Sequence, residues 1–340
     1  MPNLTLGFFG AAVHIPLVLS ADIAVAHDSS PLISVYPWSS GFGTKYANPA
    51  ALPGSGGLGV AFSPDGADIA VAHSGLPRVS VYPWSSGFGT RYANPAPRPP
   101  GNGRGVAFSP DGEDIAVAHS NTPYISVYPW SSGFGTKYAN PATVPTDIGF
   151  SVAFAPDGAD IAVAHQATPF VTAYPWSSGF GTKYANPSTL PTSNSRGVAF
   201  SPDGADIAVA HETSPRVSAY PWSSGFGTKY ADPASLPAGN CFDVAFSLDN
   251  DIVVGHATSP YVSAYPWSSG FGTKYANPAS APAANSNGVA FSLDGADVAV
   301  AHFSSPYVAA YPWSSGFGTK YANPATLPTG TGNGIAFNAA

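Results

Sequence analysis

The sequence has little charge and no cluster of one sign. Asp, Glu, Lys and Arg make up 9% of its 340 residues, against roughly 25% in ordinary globular proteins. The net charge is −7, and the twelve basic residues form no stripe. Because nucleic acids are bound by concentrated positive charge, no nucleic-acid partner is expected.

Cysteine and helical patterning are also nearly missing. Cys241 is the only cysteine, which excludes an intrachain disulfide, and we expect it to be a loop residue without chemistry. No stretch has the apolar spacing and capping residues of a helix over a useful length. The chain is therefore predicted to be all-β.

The N-terminus holds the one long apolar stretch, residues 4–21. His14 and Pro16 interrupt it, so it is not expected to span a membrane, and no Lys or Arg precedes Lys45. A secretory leader normally begins with basic residues, so an extra strand or packing segment is favoured over a leader. Residues 1–21 are predicted to be an apolar extension outside the main domain.

What the chain has in abundance is an internal repeat. The pentapeptide Trp-Ser-Ser-Gly-Phe occurs seven times, at steps of 46 residues with one step of 45. Such a period means that one supersecondary unit is copied and stacked on itself. The tryptophans that mark it are Trp38, Trp84, Trp130, Trp176, Trp222, Trp267 and Trp313.

One unit, residues 105–141, reads as four short strands. Strand A begins at residue 106 and ends at a Ser-Pro-Asp-Gly turn, whose Pro, Asp and Gly suit a tight corner. Strand B covers 114–119, strand C 124–128 and strand D 136–139, with the Trp-Ser-Ser-Gly-Phe corner before strand D. Four antiparallel strands in about 46 residues are typical of a propeller blade.

Counting the strands predicts how the ring closes. The last strand A begins at Gly334 and has no strand B after it, whereas the first strand B, near Ile23, has only a poor strand A before it. Residues 334–340 are therefore predicted to complete the N-terminal blade. The expected fold is a seven-bladed β-propeller forming one domain over residues 22–340.

The unit at residues 197–222, GVAFSPDGADIAVAH…SPRVSAYPW, resembles the repeat of YVTN-type and WD40-like β-propellers. The Ser-Pro-Asp-Gly corner between two apolar strands carries the resemblance. The Trp-Asp dipeptide of WD40 repeats is absent, and Ala-Val-Ala-His replaces Tyr-Val-Thr-Asn. The resemblance implies a ring-shaped binding scaffold; some related propellers are enzymes, but no catalytic residue carries over.

One face of the ring is predicted to vary between blades. The B–C corners and the linkers from strand D to the next strand A differ most among the seven copies. Tyr, Phe and Arg, which anchor interfaces, recur directly after the corner proline. A protein-binding face is one interpretation, and drift of short loops or strand packing is the other. The candidate contact residues are Arg78, Tyr124, Phe170, Arg216, Tyr261 and Tyr307.

The seven tryptophans suggest an alternative. An indole face beside hydroxyls and glycine can stack on a sugar, and seven copies would act together in a multivalent carbohydrate-binding lectin or in an adhesion or virion protein. The competing interpretation is a hairpin corner packed by a buried Trp beside Pro.

A histidine ends each strand B, but histidines on separate blades lie too far apart to share a metal. Structural hydrogen bonding is therefore expected of them, and no metal or cofactor is predicted. The seven histidines are His27, His73, His119, His165, His211, His256 and His302.

No nucleophile and base stand out from the repeat, and the inward strands read as its most uniform part. The sequence therefore predicts a monomeric, non-enzymatic binding or structural scaffold for a protein, with a lectin as the alternative. A lactonase-like enzyme is the least favoured reading.

Overall fold

The computed structural model describes residues 21–338, and within them every regular element is a β-strand. Alternation of β-branched or aromatic residues with small ones explains this preference. The strands are β1 Ala21–His27, β2 Ile33–Trp38, β3 Gly57–Phe62, β4 Asp68–His73, β5 Val79–Pro83, β6 Gly103–Phe108, β7 Asp114–His119, β8 Ile125–Pro129, β9 Gly149–Phe154, β10 Asp160–His165, β11 Val171–Pro175, β12 Ser195–Phe200, β13 Asp206–His211, β14 Val217–Pro221, β15 Cys241–Phe246, β16 Asp251–His256, β17 Val262–Pro266, β18 Ser286–Phe291, β19 Asp297–His302, β20 Val308–Pro312 and β21 Gly332–Phe337.

The strands form seven antiparallel sheets arranged as the blades of a propeller. Blade 1 has the order β21-β1-β2, and blades 2 to 7 take three consecutive strands each, from β3 to β20. The inner strands contact one another around the ring, and β21 contacts β3. The predicted seven-bladed propeller is confirmed.

Closure by the C-terminal strand is confirmed as well. β21 pairs with β1 in antiparallel register, with Val25 opposite Ile335 and Ile23 opposite Phe337. Residues from the two ends of the described chain thus share one sheet. No blade is left open.

The segment predicted as strand D does not form a regular ladder. In blade 2 a single bridge joins Trp84, directly after β5, to Phe88 in the corner that precedes this segment, and the segment itself bonds to β5 through the Tyr92 N–H and the Val81 carbonyl. Each sheet therefore has three ladder strands rather than four. The Tyr92 side chain points inward from this edge and donates its hydroxyl to Asp68.

The core lies between blades, not within them. In blade 3, Ala116 and Ala118 of β7 face blade 4 and pack in one cluster with Ile161. Ile115 lies on the opposite side of the same strand and packs against blade 2. Small side chains on one face thus accommodate large ones from the next blade. Burying each large aliphatic side chain stabilises the fold by roughly 1.5–3 kcal/mol.

The predicted N-terminal extension lies almost wholly outside the described residues, although Ala21 itself begins β1. In the part of the chain from 21 to 338, no helix is long and apolar enough to cross a membrane.

Candidate functional site

A β-bulge opens the inner strand of every blade. In blade 3, Gly103 pairs with His119 and Gly105 with Ala118, which leaves Arg104 as an extra residue on β6. A bulge re-aims the side chain of its extra residue, here toward the propeller axis. The residues at this position are Leu58, Arg104, Phe150, Arg196, Phe242, Asn287 and Asn333, and all seven line one central cavity.

The inner strands approach one another closely around this cavity. A Cβ on Gly59 would lie 2.7 Å from the Arg104 carbonyl oxygen, and one on Gly105 would lie 2.8 Å from that of Phe150. A side chain at either of these two glycines would displace the neighbouring backbone. The ring is therefore narrow, and the cavity has a volume of about 150 Å³.

Two arginines flank one aromatic ring on one side of the cavity. The guanidinium carbon of Arg196 lies 4.1 Å from the Phe150 ring centroid, and that of Arg104 lies 5.0 Å from it. Both contacts are within cation–π range. The Nε of Arg196 donates to a Glu212 carboxylate oxygen at 2.7 Å, so this arginine has a compensating charge.

Asp243 is the one carboxylate that lines the cavity. Its Oδ1 accepts the Val244 N–H and its Oδ2 the Val289 N–H, each at 2.9 Å. Loss of hydration raises the pKa of this carboxyl to about 7, although both backbone hydrogen bonds act to lower it. A carboxyl with this pKa can exchange a proton with a substrate near neutral pH.

Two amides complete the polar side of the cavity. Asn287 donates from Nδ2 to the Gly332 carbonyl at 2.9 Å, and Asn333 donates from Nδ2 to the Gly57 carbonyl at 2.8 Å. Each bond crosses to the next blade and orients the amide. Because an amide nitrogen carries two hydrogens, each retains one N–H for a ligand.

The six predicted partner-contact residues do not line this cavity. All six are partly exposed and have φ between 68° and 84°. The two arginines among them are held by backbone: Arg78 donates to the Ser74 carbonyl, and Arg216 to the Pro237 carbonyl at 3.0 Å. A contact role for the six positions, namely Arg78, Tyr124, Phe170, Arg216, Tyr261 and Tyr307, stays a prediction.

The tryptophan corners do not present indole faces for sugar stacking. All seven indoles are only 3–6% exposed. Trp130 donates its N–H to Asp68 of the preceding blade, and the edges of Tyr92, Phe108 and Phe134 meet its ring. Burial against the neighbouring blade is the physical reason why the lectin interpretation fails. It applies equally to Trp38, Trp84, Trp130, Trp176, Trp222, Trp267 and Trp313.

The histidines are buried and hydrogen-bonded. In six blades the histidine Nε2 is hydrogen-bonded to a hydroxyl on the adjacent strand, as His119 is to Ser126 at 3.0 Å. Burial lowers the pKa of all seven histidines to about 4. His302 is the exception, since Ala309 replaces the hydroxyl residue and leaves its Nε2 without a partner. Within residues 21–338, no three His, Cys, Asp or Glu side chains form a group that could hold a metal.

Cys241 was expected in a loop but is the first residue of β15. Its side chain is fully buried, and burial raises the pKa of the thiol. It lies two residues before Asp243 but does not line the cavity.

Sequence reasoning missed the cavity because it began strand A too late. Arg104 and Arg196 were assigned to variable linkers, whereas they lie within β6 and β12. The conclusion that the inward strands are uniform is therefore wrong at the bulge position. The available signal was that this position differs in chemistry between blades while the Val-Ala-Phe after it hardly changes.

No protein-family model and no curated protein matches the sequence. Its fold is nevertheless similar to solved propellers. A Bacteroides fragilis protein provisionally named a 6-phosphogluconolactonase has a TM-score of 0.74 at 14% identity, with 94% of this chain and 98% of that chain covered. The periplasmic gluconolactonase of Pseudomonas aeruginosa has a TM-score of 0.69 at 17% identity, covering 94% and 99%. The propeller domain of Cps50 from Myceliophteria thermophila has a TM-score of 0.57 at 13% identity, covering 80% and 88%.

These comparisons contradict two predictions, the non-enzymatic scaffold and the absence of enzyme activity. Structures that match nearly the whole chain are named as lactonases, which the sequence interpretation had ranked last. The residues at the bulge position also break the sevenfold repeat. At these low identities the shared fold is what the likeness establishes.

Proposed function

We propose that this protein is a lactonase-like hydrolase that opens a small cyclic ester in its central cavity, with Asp243 as the general base. The observation that carries the proposal is the carboxylate of Asp243. Five of the other blades have glycine at the same position of the inner strand, and blade 4 has Ser151. A carboxylate there, with its pKa near 7, is matched to proton transfer at neutral pH.

The reaction needs one water and one proton acceptor. Asp243 removes a proton from water while the water oxygen adds to the ester carbonyl, which forms a tetrahedral oxyanion. When this intermediate collapses, the bond between the carbonyl carbon and the ring oxygen breaks. The protonated Asp243 returns its proton to the leaving alkoxide, and the product is the open hydroxy acid.

The oxyanion requires hydrogen-bond donors that are already in place. Asn287 precedes Val289, whose N–H holds Asp243, so the amide and the base lie on adjacent inner strands. The bond from Asn287 to Gly332 fixes the amide and leaves its second N–H for the carbonyl oxygen. No cofactor or metal enters this scheme.

We also propose that the catalytic unit is a monomer consisting of a single domain over residues 22–340, and a distant member of the YVTN-type propellers. The support is that all seven cavity-lining bulge residues come from one chain. Size-exclusion chromatography with light scattering would test the monomer; a larger mass would contradict it.

The test of activity is hydrolysis of γ-butyrolactone, δ-valerolactone and glucono-δ-lactone, followed by acid release. For the wild type, kcat/KM should rise with pH through about 7 and then level, because the base must be ionised. Asp243→Asn should lower kcat at least 100-fold, since general-base catalysis supplies roughly 10²–10⁴. Asp28→Asn, at an exposed carboxylate outside the cavity, is the matched control. Unchanged hydrolysis in Asp243→Asn would remove the base from the mechanism.

A further inference from the structure

Arg104 forms no ion pair with any described residue, and the contact its guanidinium makes is with the Phe150 ring, whose centroid is 5.0 Å away. Its Nε is buried and makes no hydrogen bond, and the ion pairs within residues 21–338 are Arg196 with Glu212 and Lys229 with Asp232. The guanidinium is only partly exposed, in the wall of the cavity. A partly buried charge without a counter-ion is costly, so the site favours an anionic ligand group.

The neighbouring charges limit what that anion can be. Arg196 is neutralised by Glu212, and Asp243 adds negative charge when it ionises. Arg104 therefore presents a single uncompensated positive charge to the ligand. This charge is balanced by a ligand group with one negative charge rather than two.

The position of Arg104 separates anion binding from the chemistry. Arg104 lies on blade 3 and Asp243 on blade 6, three blades away around a ring of seven. A ligand held by its anionic group at Arg104 would extend across the cavity toward the base. Its ester group and its anionic group must then lie at opposite ends of the molecule.

The cavity also bears on ligand size. It is partly open to solvent, and the space within it is about 150 Å³; an enclosed protein cavity of roughly 150 Å³ holds a molecule about as large as benzene. A single five- or six-membered ring with one substituent fits this space. A phosphorylated six-carbon sugar lactone is larger and carries nearly two charges on its phosphate.

We propose that the ligand is a monocyclic lactone bearing one carboxylate, and that Arg104 binds this carboxylate and so determines specificity. The proposal rests on the hydrolase function for its lactone ring, whereas the carboxylate and the size follow from Arg104 and the cavity. It departs from what the lactonase names of similar structures would suggest.

A binding test separates this proposal from the proposed reaction. Cyclopentanecarboxylate has the charge and size of the ligand but no ester, and cyclopentylmethanol is its uncharged analogue. Calorimetry should show that the wild type binds the carboxylate at least tenfold more tightly than the alcohol. Arg104→Gln should weaken carboxylate binding 10- to 100-fold, as expected for a charged hydrogen bond.

Arg98→Gln is the matched control, because Arg98 is exposed in a linker and does not line the cavity. It should bind the carboxylate as the wild type does. If Arg104→Gln does not fold, Arg104→Lys and the wild-type comparison of the two probes keep the test decisive. Equal binding of carboxylate and alcohol by the wild type would overturn the proposal.

Turnover gives the second arm. The wild type should hydrolyse 6-oxooxane-3-carboxylate, whose carboxylate lies across the ring from the ester carbonyl, with a kcat/KM at least tenfold above that for 5-methyloxan-2-one, which has a methyl group in place of the carboxylate. Arg104→Gln should raise KM for the charged substrate at least tenfold and remove the preference for it over the methyl analogue. If the carboxylate binds but no lactone is hydrolysed, the proposed hydrolase function is wrong and carboxylate binding at Arg104 stands. If 6-phosphogluconolactone is turned over faster, or if Arg104→Gln leaves hydrolysis of the charged substrate unchanged, carboxylate recognition by Arg104 is wrong and the hydrolase function stands.

Discussion

The indole N–H of Trp130 in blade 3 donates to Oδ2 of Asp68 in blade 2, at 2.9 Å. Oδ1 of the same carboxylate accepts the hydroxyl of Tyr92, also at 2.9 Å. All seven blades repeat this arrangement, so a ring of carboxylates joins each blade to the next. The carboxylates are Asp22, Asp68, Asp114, Asp160, Asp206, Asp251 and Asp297.

We expect this contact to contribute strongly to stability. Asp68→Ala should lower the free energy of unfolding by roughly 3–5 kcal/mol, because it leaves two donors unsatisfied. Tyr92→Phe should cost about 1.5 kcal/mol, since the carboxylate keeps its bond from Trp130. Urea unfolding followed by Trp fluorescence measures both.

Tyr124→Phe is the control for these variants. It removes a hydroxyl on the corner face, away from the ring of carboxylates, and should change stability by less than about 0.5 kcal/mol. If Tyr92→Phe lowered the free energy of unfolding no more than Tyr124→Phe does, the hydrogen bond from Tyr92 to Asp68 would not contribute to stability.

The protein should unfold steeply in acid. Each of the seven buried histidines has its pKa lowered to about 4 from an ordinary value of 6.5. Between these values the unfolded chain binds a proton that the folded chain does not, so stability falls as pH falls from about 6.5 to about 4. Each histidine should contribute a slope of about 1.4 kcal/mol per pH unit.

Asp243, whose pKa is raised, acts in the opposite direction over about pH 4 to 7, but it is one group against seven. Denaturant unfolding at pH 7, 6, 5 and 4.5 measures the combined slope. His119→Gln should reduce that slope by about one histidine's share. Stability that stays level across this range would show that the histidines are not held neutral.

Ring closure should depend on β21 as strongly as on an internal strand. Ile335 in β21 is 8% exposed, and Val60 occupies the same place in β3 and is 9% exposed. Ile335→Asp and Val60→Asp should each lower stability by about 3 kcal/mol or more, because a buried carboxylate would lack a partner. Thermal unfolding of the two variants makes the comparison.

Leu248→Asp, at an exposed apolar side chain in a turn, is the control and should be near neutral. A near-neutral Ile335→Asp beside a damaging Val60→Asp would mean that β21 does not hold the ring closed.

Strands with two buried faces were the easiest to predict. Strand B of the analysed unit was placed at residues 114–119 and is observed as β7 over the same residues. Its alternation of Ile, Ala and Val required a surface on each side, and the structure supplies one from each neighbouring blade. Strand D was predicted as a fourth ladder strand but bonds to its neighbour only locally, and the bond from its Tyr92 hydroxyl to Asp68 in the interior is a contact that no local pattern reports.

The candidate site was the hardest to predict. Arg104 follows Gly103 in a run of Gly, Asn and Arg that reads as a loop. Only the register shift between β6 and β7 makes it an inward bulge residue. Asp243 looks equally ordinary, and its raised pKa arises from loss of hydration where it lines the cavity.

The sequence by itself determined the number of blades and the strand that closes the ring, because a repeat with complementary apolar faces can bury those faces only against copies of itself. Only the tertiary structure decided which side chains line the central cavity. Seven residues lying about 46 positions apart in the chain meet there, and the charge, hydration and pKa of each depend on partners that local sequence does not specify.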